Sequence, residues 1–151
     1  VQVRSFPASP GKYADLAEGL SPALSAALQR QGISRLYSHQ AEAIARARAG
    51  EHVVVVTGTA SGKTLCYNVP VLESILADPA SCALYLYASK ALAQDQLRTL
   101  TRYLEADASL PLTCGTYDGD TPPNARRKLK NGLQAHGMDV GEVLSLFGTS
   151  G

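Results

Sequence analysis

Three short runs punctuate the apolar pattern of the chain: H-V-V-V-V at 52–56, C-A-L-Y-L-Y at 82–87 and L-T-C-G-T-Y at 112–117. Each is rich in β-branched or aromatic residues, and the first is apolar on both faces, which fits a buried parallel strand. Elsewhere the spacing is helical. Ser21-Pro22 sets a cap and a first-turn proline for a helix that stops at Gly32. A second helix begins near Ser38 and ends at Gly50. A third follows the first strand and carries Pro70 as an expected kink; a fourth, from Lys90, has Leu92, Leu97, Leu100 and Leu104 as its apolar stripe. T-P-P-N-A-R-R-K-L-K at 121–130 opens a fifth. Strands alternating with helices predict an α/β fold with a parallel sheet flanked by helices.

Composition narrows the class without naming the chemistry. The chain has 151 residues, 45% apolar and 18% charged, with a formal net charge of +1. That is the composition of one globular domain, with no global field to attract nucleic acid. Cys66, Cys82 and Cys114 show neither metal-ligand spacing nor a disulfide framework, so they read as small buried hydrophobes in a reducing compartment. No leader-like apolar core opens the sequence, and no apolar run approaches the ~18 residues that span a bilayer. The expectation is a cytoplasmic protein with no membrane contact.

The candidate chemistry lies just after the first strand, in T-G-T-A-S-G-K-T at 57–64. Gly58 and Gly62 let backbone amides turn inward on phosphate oxygens, and the following helix adds the positive end of its dipole. Lys63 is placed to neutralise β and γ phosphates, and Thr64 to offer its hydroxyl to Mg²⁺. The strict pattern has glycine first, where this chain has Thr57. A glycine-rich turn that merely links strand to helix has no use for a Lys-Thr pair, so the expected ligand is a nucleotide with Mg²⁺, held by Thr57, Gly58, Thr59, Ala60, Ser61, Gly62, Lys63 and Thr64.

Threonine in that first position makes the loop resemble motif I of superfamily 2 DEAD/DEAH-box helicases. L-Y-S-H-Q-A-E-A-I at 36–44 looks like their adenine-recognition element, with Gln40 as the amide that donates and accepts at the adenine edge. Y-L-Y-A-S-K-A-L-A-Q-D-Q at 85–96 resembles motif Ia, with Ala88-Ser89 where the family has Pro-Thr. T-Y-D-G-D-T-P at 116–122 followed by Arg126-Arg127 matches the stretch after the third strand in the MrfA/YprA-like branch. The resemblance covers about residues 20–130. It implies a RecA-like ATP-binding lobe of a DNA helicase, with single-stranded backbone contacts from Ser89, Lys90, Gln94, Arg126 and Arg127. It divides the chain into an extension at 1–20, a partial RecA-like domain at 21–130 and a divergent tail at 131–151. Alone, the cluster Arg126, Arg127, Lys128 and Lys130 reads equally as a solvated helix face. Tyr37 is open to stacking on adenine or to a core role, and His39 is read as a polar core residue.

The family follows these motifs with an Asp-Glu pair that helps hold Mg²⁺ and orients the attacking water. No adjacent Asp-Glu pair occurs in this sequence, and Asp139 and Glu142 match no family position. The expectation is a domain incomplete at its C-terminus that binds ATP with little hydrolysis. Two alternatives remain. A remnant that binds nucleotide or a helicase partner without turnover shares every motif; a small-molecule kinase would need a substrate lid and leaves A-L-A-Q-D-Q and D-G-D-T-P without a role.

Overall fold

The computed structural model describes residues 11–58, 61–106 and 113–137. Thr59, Ala60, Asp139 and Glu142 therefore lie outside the described residues, as does the side chain of Leu104. In chain order the elements are β1 (Tyr13–Ala14), α1 (Pro22–Arg30), β2 (Leu36–Tyr37), α2 (Ser38–Arg48), α3 (Thr64–Ala77), α4 (Lys90–Ala106) and α5 (Pro123–Ala135). The chain divides at Pro70, inside α3, into two compact units, Val1–Pro70 and Val71–Gly151.

In the first unit the helix starts are built as their residues require. The Leu24 amide donates to Ser21 Oγ at 3.3 Å, with Pro22 at the first helical position. Gly32 and Gly50, with φ of +77°, end α1 and α2 in the left-handed region that glycine adopts without strain. The buried set is Leu24, Ala27 and Leu28 of α1, Leu36 of β2, Ala41, Ala43 and Ile44 of α2, and Leu65, Cys66 and Val69 of α3. The Leu24–Ala27–Leu28 spacing of three and four places one α1 face inward, at roughly 1.5–3 kcal/mol per large side chain. A short antiparallel ladder pairs Tyr13 with Tyr37 and Ala14 with Leu36, extended by the Ser38 amide donating to Lys12 O at 2.8 Å. This ladder was not expected from the sequence: its strands are two residues each, too short for alternation to register.

The second unit holds the end of α3, α4 and α5. Leu72, Ile75 and Tyr103 are buried. Of the expected α4 stripe, Leu97 and Leu100 are half-buried while Leu92 is 44% exposed. The 113–117 backbone lies against α5, a Cβ at Gly115 making an ordinary 3.5 Å contact with Leu129 Cδ2. Cys66 is buried, and burial pushes its thiol pKa up; Cys114 is exposed, which corrects the expectation of three buried cysteines.

The mixed α/β composition is as expected, but the ladders are not. Among the described residues the only sheet is β1–β2; residues 52–58, 82–87 and 113–117 carry no strand assignment. Val54 and Val56 are each 88% exposed, and the 52–56 run has no ladder partner among the described residues. A parallel strand is stabilised only through its neighbours on both edges and the helices on both faces. A β-branched run supplies the propensity for that environment, not the environment itself.

Candidate nucleotide and strand-contact sites

The phosphate loop is tied to α2 through two adjacent side chains. Gln40 is 2% exposed; its Nε2 donates to Gly62 O at 2.9 Å, and its Oε1 accepts the Tyr37 amide at 2.8 Å. The second bond is half of a capping box, in which a side chain at the third helical position satisfies the amide at the helix start. His39 Nε2 lies 3.0 Å from Ser61 O. Because a carbonyl only accepts, Nε2 carries the proton in that bond. Gly62, at φ +73°, turns the loop into α3, and a Cβ there would meet Gln40 Nε2 at 2.5 Å. Glycine is needed at 62 for both its dihedral and its bareness.

Lys63 lies back across the loop. Its Nζ donates to Gly58 O at 2.7 Å, Thr57 O at 3.0 Å and Thr57 Oγ1 at 3.2 Å, with Ser61 Oγ at 3.4 Å. The Thr57 and Ser61 hydroxyls bond to each other at 2.5 Å. The ammonium thus sits among loop oxygens as its counter-charge, and Thr57, in the position the strict pattern gives to glycine, contributes two of them. This donor set fits phosphate: one cation and two hydroxyls converge on a loop that ends at a helix N-terminus. Thr64, which opens α3, is half-buried.

Sequence reasoning missed the column beside this loop. Arg35 lies over the Tyr13 ring at 4.8 Å, Tyr13 stacks on Tyr37 at 5.1 Å, and Tyr37 stacks on His39 at 5.8 Å. Tyr37 thus meets two rings while remaining 37% exposed. The side-chain hydrogen bond of the Tyr37 hydroxyl to Tyr13, then the nearby Tyr13 charge, raises the Tyr37 pKa above its ordinary 10. Nothing in the sequence signals this column, because its members come from an irregular segment and from residues whose periodicity reads simply as helix start.

In the second unit, the expected strand-contact residues converge on the start of α4 and the 116–121 turn. Ser89 Oγ accepts the Leu92 amide at 3.3 Å and so caps α4. Lys90, the first residue of the helix, bonds Asp120 Oδ2 at 2.6 Å. Gln94 Nε2 donates to Thr116 Oγ1 at 3.3 Å. The turn is closed by its own side chains: the Asp120 amide donates to Asp118 Oδ1 at 2.9 Å, the Asp118 amide to Thr121 Oγ1 at 2.9 Å, and Thr121 Oγ1 to Thr116 O at 3.0 Å. The Asp120 amide is the main reason the Asp118 carboxyl is held below its ordinary 3.8, with Thr121 and Lys90 adding to it. The hydrogen bond that Lys90 donates to Asp120 raises the Lys90 pKa.

Arg126 is drawn into the turn rather than away from it. One terminal nitrogen donates to Asp118 O at 2.6 Å, and the guanidinium lies 5.4 Å from the centre of the Tyr117 ring. Arg127 is exposed and reaches Asn124 Oδ1 at 3.4 Å; Lys128 and Lys130 are exposed on α5. No group of three or more His, Cys, Asp or Glu positioned for a metal occurs among the described residues. No helix there is long and apolar enough to cross a membrane.

Comparison with known proteins gives this geometry a family. Residues 37–149 match the DEAD/DEAH box helicase family, a span that runs past residue 130, where the quoted motifs end. The chain is 45% identical over 119 residues to the uncharacterized ATP-dependent helicase YprA of Bacillus subtilis, covering 79% of this chain and 16% of that protein. It is 39% identical over 129 residues to the ATP-dependent helicase hrq1 of Schizosaccharomyces pombe, covering 84% of this chain and 12% of that protein. Among solved structures, the DUF1998 helicase MrfA bound to DNA and AMPPNP superposes with a TM-score of 0.75 at 44% identity, over 81% of this chain and 17% of that one. The chain thus spans about a sixth or less of the length of these relatives. On the match to residues 37–149 and the identity to YprA, this chain belongs to the DEAD/DEAH box helicase family.

Proposed function

We propose that this chain is the ATP-binding lobe of an ATP-dependent DNA helicase, built on a RecA-like parallel sheet. One observation carries the reading: the Lys63 ammonium sits among the oxygens of Thr57, Gly58 and Ser61, in a loop whose carbonyls are gripped by Gln40 and His39. Phosphate oxygens exchange for the loop oxygens around Lys63, and Thr64 offers its hydroxyl to Mg²⁺. Gln40 holds the loop; reading the adenine edge as well requires it to use its second N–H and second lone pair. ATP, when bound, supplies the phosphoanhydride whose hydrolysis drives translocation in a whole helicase. The strand is held by Ser89, Lys90, Gln94, Arg126 and Arg127, and single-stranded DNA is the expected ligand, in keeping with the DNA-bound state of MrfA. A role in DNA repair and a cytoplasmic location follow the same family reading.

The 151 residues contain no adjacent Asp-Glu pair. Charge stabilisation and positioning supply nearly all phosphoryl-transfer catalysis, so the chain by itself binds ATP with very slow turnover. The test is the thermal melt of the chain with and without Mg-ATP, beside a Lys63→Ala variant. A ligand that binds only the folded state stabilises it by ~2.7 kcal/mol at a hundredfold excess over Kd. ATP should raise the melting temperature of the parent chain and leave that of the variant unchanged. Equal behaviour of the two chains rejects the site.

A further inference from the structure

Asp120 has no part in the proposed nucleotide or strand contacts, yet it makes one of the shortest polar contacts among the described residues. Its carboxylate meets Lys90 Nζ at 2.6 Å, while the side chain itself is 83% exposed. The carboxylate is brought there by a built turn: Asp118 Oδ1 accepts the Asp120 amide, and Thr121 Oγ bridges the Asp118 amide to the Thr116 carbonyl. Gly119 lies beside the ammonium, a Cβ there making an ordinary 3.6 Å contact with Lys90 Nζ. Lys90 is also the first residue of α4, capped by Ser89, where the helix dipole disfavours a cation. An anion beside Lys90 therefore offsets an unfavourable position, and the chain supplies that anion itself.

We infer that Asp120 is an internal stand-in for a backbone phosphate, clasping Lys90 until a nucleic-acid strand displaces it. The inference rests on the reading that Lys90 contacts the strand. It assigns Asp120 a positioning role with two effects. The clasp fixes Lys90 in the orientation in which it meets an anion, and it sets a threshold that weak anions do not cross. A phosphodiester engaging Lys90 has to replace a carboxylate already in place, whereas a chain lacking that carboxylate presents the bare ammonium.

The experiment is fluorescence anisotropy of a labelled single-stranded oligonucleotide against the 151-residue chain across a series of salt concentrations. The variants are Asp120→Asn, Lys90→Ala, the double variant, and Asp95→Asn, which removes one negative charge from the exposed face of α4. Asp120→Asn should bind about two- to fivefold tighter, the range of an exposed ion pair. Its log–log salt slope should stay near that of the parent, since Lys90 meets one phosphate in the bound state of either chain. Lys90→Ala should weaken binding and abolish the gain from Asp120→Asn, and Asp95→Asn should leave affinity near that of the parent. Unchanged or weaker binding by Asp120→Asn, where Lys90→Ala does weaken it, overturns the clasp alone. A gain that persists in the double variant, or that Asp95→Asn reproduces, reduces Asp120 to bulk charge and also overturns it. If Lys90→Ala binds like the parent, or no chain binds, the strand-contact reading falls and the clasp with it.

Discussion

Gln40 is the residue on which the proposed nucleotide site turns, because one buried amide serves both the start of α2 and the loop before α3. Gln40→Ala leaves the Tyr37 amide and the Gly62 carbonyl without their partner. The expected cost is about 1–3 kcal/mol, read as a lowered melting temperature, together with weaker Mg-ATP stabilisation. A lower melting temperature with full ATP stabilisation would confine Gln40 to the fold. Asn68 presents the opposite case. It is 1% exposed on α3, and neither Oδ1 nor Nδ2 has a hydrogen-bond partner among the described residues. A buried amide left unsatisfied destabilises, whereas an apolar side chain of similar shape does not. Asn68→Leu should therefore raise the melting temperature by a few degrees; a fall would mean that the amide finds a partner in solution.

At the scale of elements, helices were legible and strands were not. The Ser21-Pro22 start and the glycines at 32 and 50 punctuate α1 and α2 through local rules, so their limits could be read directly. The Val53–Val56 run could not be read so simply, because strand pairing depends on residues far away in sequence. The site divides the same way. Lys63 and the loop glycines announce themselves, but the grip of His39 on Ser61 is long-range and leaves no periodic trace. The 116–121 turn adds a pH prediction. The folded-state pKa of Asp118 is depressed, so its contribution to holding the turn is present above the ordinary carboxylate value of 3.8 and is lost as pH falls through the lowered one. Amide shifts of Asp120 and Thr121 should move in acid below pH 3.8, and Asp118→Ala should already show them at neutral pH.

For the whole molecule, family membership was legible because four motifs stand in order, whereas the sheet that would carry them is not drawn in the described residues. The exposed Val54 and Val56 show what that means in solution. A β-branched stretch with uncovered side chains and open backbone groups behaves as half of a joint, and a second copy offers the same half. At low concentration the chain should sediment as a monomer; as concentration rises, mass should increase through pairing of these stretches. Val54→Lys with Val56→Lys should return it to monomer across the same range. Storage concentration thereby becomes a variable that sets the behaviour of the protein alongside any ligand it is given.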